Sequence, residues 1–518
     1  MNQVPTLENY NAYEVNLPLR EALKREGAQW AEDRCRSVGK VVGSAEGMRH
    51  AVLSDANPPV LHRYDGVGDP INEVERHPSW HWLVDRTVEF DLHGLTLRES
   101  RPSLHTARAA MILCWGELSL PTVCPVSANY SIMPALEAAP ELRDRYFKDL
   151  TSTDAGSLKF AAASMTERQG GSDVRQTATR ADLVADGTYV LTGRKWFVTC
   201  PWADLILVLA RAEGGLTCFL AETDQPGYRI ERLKDKLGWH ALGVGEVEMN
   251  GVVAHRVGEE GKGVGVIMRM ISGTRLDVML ECAASMRTGT LKAVHHARHR
   301  QVLGSPLIDL PAMRNVLADI AIESEAATAA ALRVAGCFDG EPRPIGRLVL
   351  TLMKYWLSKR SSGHAVEAME CIGGNGFVEA SGMPRLVRDS TVGSIWEGSG
   401  NVASLDIFRT IGRDPEAFED FVSECNLARG SNATFDDWMD TLPGEVLSSL
   451  KAGEVEWTAR TLVGRMALVL QASLLIRFAP AAVSDAFCAG RLSSGGAVYG
   501  CLPSGVDAGT ILGRVLPE

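Results

Sequence analysis

Apolar residues recur at three- and four-residue steps in LREALKREGAQWAEDRCRSVGK (19–40) and SLHTARAAMILCWGEL (103–118). That spacing predicts helices over the first ~160 residues. Between them NPPVLHRYDGVGDPINEVERHPSW (57–80) is crowded with turn formers and predicts a loop. The texture then changes. GTYVLTGRKWFVT (187–199), DLILVLAR (204–211), LTCFLAE (216–222), YRIERL (228–233) and GEVEMNGVVAH (245–255) are short, β-branched and punctuated by Gly or Asp, which predicts an antiparallel sheet. Helical spacing returns with Met313, Val316, Leu317, Ile320 and Ala321, and similar stretches start at Gly265, Ile345 and Val392. Four long helices joined by short loops predict a four-helix bundle.

The expected architecture is α+β, mainly α. It comprises a helical domain over 1–160, a β-sheet domain over 161–263, a bundle over 264–414 and a helical extension over 415–518. In the extension, MALVLQASLLIRFAPAAV (466–483) is interrupted by Gln471, Arg477 and Pro480, and reads as a buried helix and not a membrane span. The tail RLSSGGAVYGCLPSG (491–505) predicts irregular structure.

Across 518 residues the net charge is -11, which excludes a generally basic nucleic-acid-binding coat. Eleven cysteines without a C-x-x-C pair predict packed, reduced thiols. The first residues, MNQVPTLENYNAYEV, hold no basic stretch followed by an apolar one. Both features suit a cytoplasmic protein.

Two distant segments carry candidate chemistry. In Met165-Thr-Glu-Arg-Gln-Gly-Gly-Ser-Asp173, hydroxyls alternate with glycines whose backbone N–H groups can approach a phosphate or the edge of a heteroaromatic ring. In Ser394-Ile-Trp-Glu-Gly-Ser-Gly-Asn401, Glu397 sits beside Trp396. An apolar neighbour raises a carboxyl towards neutrality and suits it to act as a general base. Each segment also has a plain reading: a hydrophilic loop for the first, a helix N-terminus capped by Ser399 or Asn401 for the second.

Together with Lys195-Trp-Phe-Val-Thr199, His299-Arg-Gln-Val-Leu-Gly304, Glu370-Cys-Ile-Gly-Gly-Asn-Gly-Phe377 and Leu386-Val-Arg-Asp389, these segments resemble the acyl-CoA dehydrogenase superfamily of flavoproteins over roughly residues 20–410. NPPVLHRYDG, HPSWHWL and LKDKLG are most similar to its AidB-like, alkylation-response branch. The resemblance implies bound FAD and a set of residues around it. Met165, Thr166, Gly171 and Ser172 form its loop, Phe197 flanks the ring, and Thr199 bonds the N5 edge. Arg300 reaches the pyrophosphate of a neighbouring subunit's FAD, and Gly373 and Gly374 contact the adenine half. Trp396, Ser399 and Asn401 also lie against the cofactor, Arg275 stands on the substrate side and Glu397 is the base. The implied reaction is α,β-dehydrogenation of an acyl thioester, with hydride transfer to the flavin. A homotetramer and an electron-transfer flavoprotein follow from the same resemblance.

Two other activities are compatible with it: a flavin oxidase or monooxygenase on the same scaffold, and DNA binding in alkylation protection. Residues 411–518 hold 8 Lys/Arg against 14 Asp/Glu, a balance of 8 − 14 = -6, which disfavours a duplex. The chain departs from relatives at Ser164, Gln176, Ala380, Ser272 and Trp239–Val244, so the carrier of the acyl group stays open. Gly261-Lys-Gly-Val-Gly265 lacks a βαβ context and reads as a turn. His295 and His299 lack an intervening Glu and lie among Arg298 and Arg300, so no metal is expected. Asp436, Asp437 and Asp440 read as a solvated face.

Overall fold

The computed structural model describes residues 2–185, 187–341, 343–493 and 498–517. Backbone contacts divide the chain into two units: residues 49–100 with 119–274, and residues 1–48, 101–118 and 275–518.

The first unit is built on a seven-stranded sheet. A hairpin, β1 (Val60–Tyr64) with β2 (Pro70–Glu75), precedes β3 (Ala161–Ser164), β4 (Arg180–Ala185), β5 (Thr188–Thr199), β6 (Leu205–Ala212), β7 (Gly215–Glu222), β8 (Tyr228–Leu233) and β9 (Val244–Val257). The sheet runs β3-β6-β4-β5-β9-β7, with β8 on β9, and a β6–β7 pairing closes it into a ring. The expected antiparallel sheet is in fact mixed. β3 runs parallel to β6 (Ala161↔Leu205), and β4 meets β6 in parallel at Arg180↔Arg211. Parallel neighbours need long connections, and the chain from β3 to β6 and from β4 to β6, which passes through β5 in both cases, supplies them. β6 is buried over most of its length. Its Leu205, Leu207 and Leu209 share a core with Ile132, Leu136, Leu150, Ile267 and Met270.

The stretch expected as a loop over 57–80 is instead the β1–β2 hairpin, followed by a helix from Pro78. Only its centre is a turn, where Asp65 accepts hydrogen bonds from the N–H groups of Val67 and Asp69 (both 2.9 Å). The strands are exposed, so burial periodicity could not announce them. Asn72 ties the hairpin to β8 by donating to Tyr228 O (2.6 Å) and accepting from Ile230 N (3.0 Å).

The second unit is helical. The helix Gly263–His299 runs into it and is followed by Pro311–Gly336, Pro344–Ile372 and Gly400–Arg413. Proline stands at the start of the middle two, where its missing N–H costs nothing. The fourth helix begins at Gly400 and not near Val392, because a 3-10 turn (Val392–Ser394) and a sharp elbow intervene. A Cβ at Gly393 would lie 2.9 Å from Cys282 Sγ, so the chain passes too close to its neighbour for a larger residue.

The extension adds helices Pro415–Asn426, Ala433–Ala452, Val455–Phe478, Ala481–Cys488 and Ala508–Val515. Val455–Phe478 is long and apolar enough to span a bilayer, yet 67% of its most apolar window is buried within the chain. Its interrupting polar residues are paired there: Gln471 Oε1 accepts from Trp356 Nε1 (2.9 Å), and Arg477 meets Glu424 (2.9 Å). The tail at 491–505 lies partly outside the described residues. On either side of that gap Arg491 (2.5 Å) and Gly500 N (2.8 Å) both bond Asp319. Nine of the eleven cysteines are buried.

Candidate active site

In the sheet unit, the segment Met165–Asp173 leaves β3 and is moored by Glu167. That buried carboxylate accepts from Ala178 N (2.7 Å), Thr179 Oγ1 (2.6 Å), Gln169 Nε2 (2.6 Å) and Lys195 Nζ (2.8 Å). Burial alone would raise the Glu167 carboxyl, but the Lys195 ammonium and the Thr179 donors outweigh it and hold it at about 2. Lys195 Nζ also donates to Leu209 O (2.7 Å), so one cation joins loop, β5 and β6.

The β5–β9 register shifts between Lys195 and Val198. Lys195 and Val198 are buried, while Phe197 is 52% exposed. A bulge of this kind re-aims side chains. Trp196 N donates to Thr166 O (2.9 Å), and Lys234 Nζ lies 3.6 Å from the Trp196 ring centre. A Cβ at Gly171 would stand 2.8 Å from Thr166 Oγ1, so only glycine leaves that hydroxyl its place. Among the described residues the hydroxyls of Thr166, Ser172 and Thr199 bond no protein group, and Met165 is half-buried beside them in the chain.

In the helical unit, Glu397 occupies the elbow before the helix Gly400–Arg413. Its φ is +52°, a left-handed conformation that a non-glycine residue rarely adopts, and Gly398 follows at +100°. Three successive carbonyls hold it there. Lys354 Nζ donates to Trp396 O (2.6 Å) and Gly398 O (2.7 Å), while Arg275 Nε donates to Glu397 O (2.9 Å). Both cations are buried, and Arg275 also faces Asp406 at 3.3 Å. Burial pulls the Lys354 ammonium down to about 8, against the pull of the Glu397 charge. Backbone strain of this kind, ~1–3 kcal/mol, persists only where the surroundings enforce it.

Arg275, Trp396 and Glu397 are thus brought together. Ser399 stands at the N-cap position of the following helix without a side-chain cap bond, and Asn401 Oδ1 accepts from Arg460 Nε (2.8 Å). Arg300 ends the long helix and bonds the carbonyl of Asn2. Gly373 (φ +71°, ψ −150°) and Gly374 are exposed at the end of the helix Pro344–Ile372, with open space where a Cβ would be. Among the described residues these last three share no hydrogen bond with the Glu397 elbow.

Sequence reasoning passed over Lys354, Lys195 and Glu167. Lys354 carried a signal: a lone cation inside LVLTLMKYWL, a run otherwise suited to a buried helix face. A charge in such a run is there because something buried needs it. His295 Nε2 and His299 Nδ1 are spent on the carbonyls of Pro5 (2.9 Å) and His295 (2.8 Å).

The chain matches three family descriptions in sequence order: the adaptive response protein AidB N-terminal domain over residues 2–155, the acyl-CoA dehydrogenase middle domain over 162–252 and the acyl-CoA dehydrogenase C-terminal domain over 261–412. It is 34% identical to the putative acyl-CoA dehydrogenase AidB of Escherichia coli K12, over 96% of this chain and 95% of that protein. It is 31% identical to acyl-CoA dehydrogenase family member 11 of Caenorhabditis elegans, over 86% and 78%. The crystal structure of C. elegans ACDH-11 in complex with C11-CoA superposes with a TM-score of 0.86 at 22% identity, covering 100% of this chain and 92% of that one. Butyryl-CoA dehydrogenase of Megasphaera elsdenii shares the fold at a TM-score of 0.61 and 21% identity, covering 77% and 98%. The chain therefore belongs to the AidB-like branch of the acyl-CoA dehydrogenase family, FAD-dependent oxidoreductases that act on CH–CH bonds.

Proposed function

We propose that this protein removes the α-proton of an acyl thioester through the Glu397 carboxylate, in an FAD-dependent α,β-dehydrogenation. The observation that carries the reading is the Glu397 elbow itself: a left-handed glutamate whose backbone two buried cations hold from three successive carbonyls. A strained residue over-determined by its surroundings marks a position where direction matters more than stability.

The sheet unit fits a flavin. Thr166 and Thr199 offer uncommitted hydroxyl donors, Phe197 offers an exposed ring face, and Gly171 keeps the loop thin. Met165 and Ser172 belong to the same loop, and Arg300, Gly373 and Gly374 are assigned to the FAD of a neighbouring subunit. When bound, FAD supplies a two-electron acceptor for the hydrogen leaving the β-carbon. Glu397 accepts the α-proton on a carboxylate oxygen. Arg275 and Lys354 fix the peptide that aims it, and Trp396 limits access of water. Positioning of this sort is worth several kcal/mol of barrier, on the order of 7–11 when complete.

The same reading carries an acyl-CoA or carrier-bound substrate, a homotetramer, an electron-transfer flavoprotein as acceptor and a cytoplasmic location, for which the nine buried cysteines are suited. The charge distribution argues against a duplex partner. Of the eight cations in 411–518, Arg429, Arg465, Arg477, Arg491 and Arg514 are engaged in ion pairs with carboxylates of the chain. Cations neutralised internally release no phosphate counterions.

Anaerobic addition of acyl thioesters, with flavin absorbance as the readout, tests the reading. Bleaching is expected in the parent, and Glu397→Gln should keep FAD but lose ~10²–10⁴-fold or more in reduction rate. Reduction at the parental rate in that variant would overturn the role of Glu397. Oxygen consumption without thioester bleaching would instead favour an oxidase.

A further inference from the structure

We propose that Glu281 is a positioning residue for the base: a buried carboxyl that holds a proton of its own and thereby leaves Glu397 as the anion of the pair. The inference rests on Glu397 being the base and extends that reading to a residue none of the sequence motifs contains.

Glu281 lies on the helix Gly263–His299, one turn beyond Asp277 and six residues beyond Arg275. The Glu397 segment is fastened to this stretch of helix at both ends. Arg275 Nε bonds Glu397 O, and Gly393 packs where a Cβ would meet Cys282 Sγ at 2.9 Å and Val278 Cγ1 at 3.9 Å. Glu281 sits between those fastenings with 5% of its surface exposed. Among the described residues no hydrogen-bond donor and no ion-pair partner reaches its carboxyl.

The charges around it are Asp277 on the same helix, Arg108 on the helix Leu104–Gly116, and Glu397 on the elbow. Arg108 is already spent, because both its terminal nitrogens bond Asp277 (2.6 and 2.7 Å) in a buried bidentate pair. His105 beside that pair is pushed down by burial and adds no cation. Lys354 Nζ and Arg275 Nε bond carbonyls of the elbow, and Arg275 Nη1 faces Asp406. An ionised Glu281 would thus be a buried anion without a donor, facing two others. Such a group keeps its proton and does not charge. Burial first, then Asp277 and Glu397, push the Glu281 carboxyl well above the usual range. The more deeply buried Glu281 takes the proton, and half-buried Glu397 stays ionised and ready to accept another from substrate.

Infrared difference spectroscopy on the holoenzyme tests this without turnover. The parent minus Glu281→Gln spectrum is recorded at mildly alkaline pH, above the titration of buried Glu117, which burial raises to about 7. The expected signal is the C=O stretch of a neutral carboxylic acid, shifted by deuterium exchange and lost in Glu281→Gln. In Glu397→Gln the same band should disappear at lower pH, since one like charge is gone, and this second variant serves if Glu281→Gln does not fold. A parent without the band, or a band whose titration ignores Glu397→Gln, overturns the proposal. Failure of Glu397 as base would show separately, as unchanged flavin bleaching in Glu397→Gln.

Discussion

Two buried lysines each hold a loop that carries candidate chemistry, and they do it differently. Lys195 binds a carboxylate, Glu167, together with the carbonyls of Leu209 and Met165. Lys354 binds two carbonyls, and the opposite charge acting on it is Glu397, whose peptide it positions. The first arrangement neutralises its own charge and fastens one strand and one loop. The second leaves a cation only partly compensated, held in place by backbone dipoles next to the group that needs to react. Structural mooring uses a closed ion pair, whereas the elbow keeps its charge within reach of the site. Perturbed ionisation at candidate functional positions follows from that asymmetry.

Lys195→Met should break the comparison most visibly. It strands the Glu167 carboxylate in the interior, a loss of ~3–5 kcal/mol in urea unfolding, with FAD retention falling alongside. Lys354→Met leaves two carbonyls without a donor but no buried anion, so its stability loss should be smaller, ~1–3 kcal/mol. Its kinetic loss should be the larger of the two, on the order of 10²-fold in thioester-driven flavin reduction, the scale of a small misplacement. Equal stability losses in the two variants would erase the distinction.

The pH responses should share a sign but fall in different windows, because both groups bind their proton less tightly in the folded state. Glu167 is held below its ordinary value, so its share of stability is present above pH 4.5 and lost as pH falls towards about 2. Lys354 is held at about 8, below its ordinary 10.5, so the folded state sheds its proton first and that group's share of stability rises as pH climbs from 8 to 10.5. Unfolding free energy measured across pH should lose its acid limb in part with Glu167→Gln and its alkaline rise with Lys354→Arg.

The smallest effects separate the two glycines. Gly398→Ala places a side chain at φ +100° and 3.2 Å from Arg275 Nη2, and should cost ~1–2 kcal/mol with slower flavin reduction. Gly171→Ala presses on Thr166 Oγ1 at 2.8 Å without a left-handed backbone. It should weaken FAD retention severalfold, read by flavin loss on dilution, and leave the melting temperature nearly unchanged.

Buried strands and long helices were legible in the chain, because burial imposes periods of two and 3.6 that a sequence displays. β6 reads as a continuous apolar run and is buried on both faces. The β1–β2 hairpin was not legible, since its strands face solvent and only its Asp65–Gly68 turn had a signature. Among the site residues, Glu397 and Thr166 stand in short motifs, whereas Lys354, Glu281 and Arg108 sit inside apolar helices where a single polar letter says nothing about its partner.

By itself the sequence determined the family, the helix–sheet–helix order and the identity of the candidate base, all of which depend on local spacing and short contiguous motifs. Tertiary structure alone decided the mixed strand order, the left-handed turn at Glu397 and the placement of its cations. The reason is that Arg275, Lys354 and Glu281 are separated from Glu397 by 43 to 122 residues of chain. Only folding sets the distances on which charge, donor and strain act.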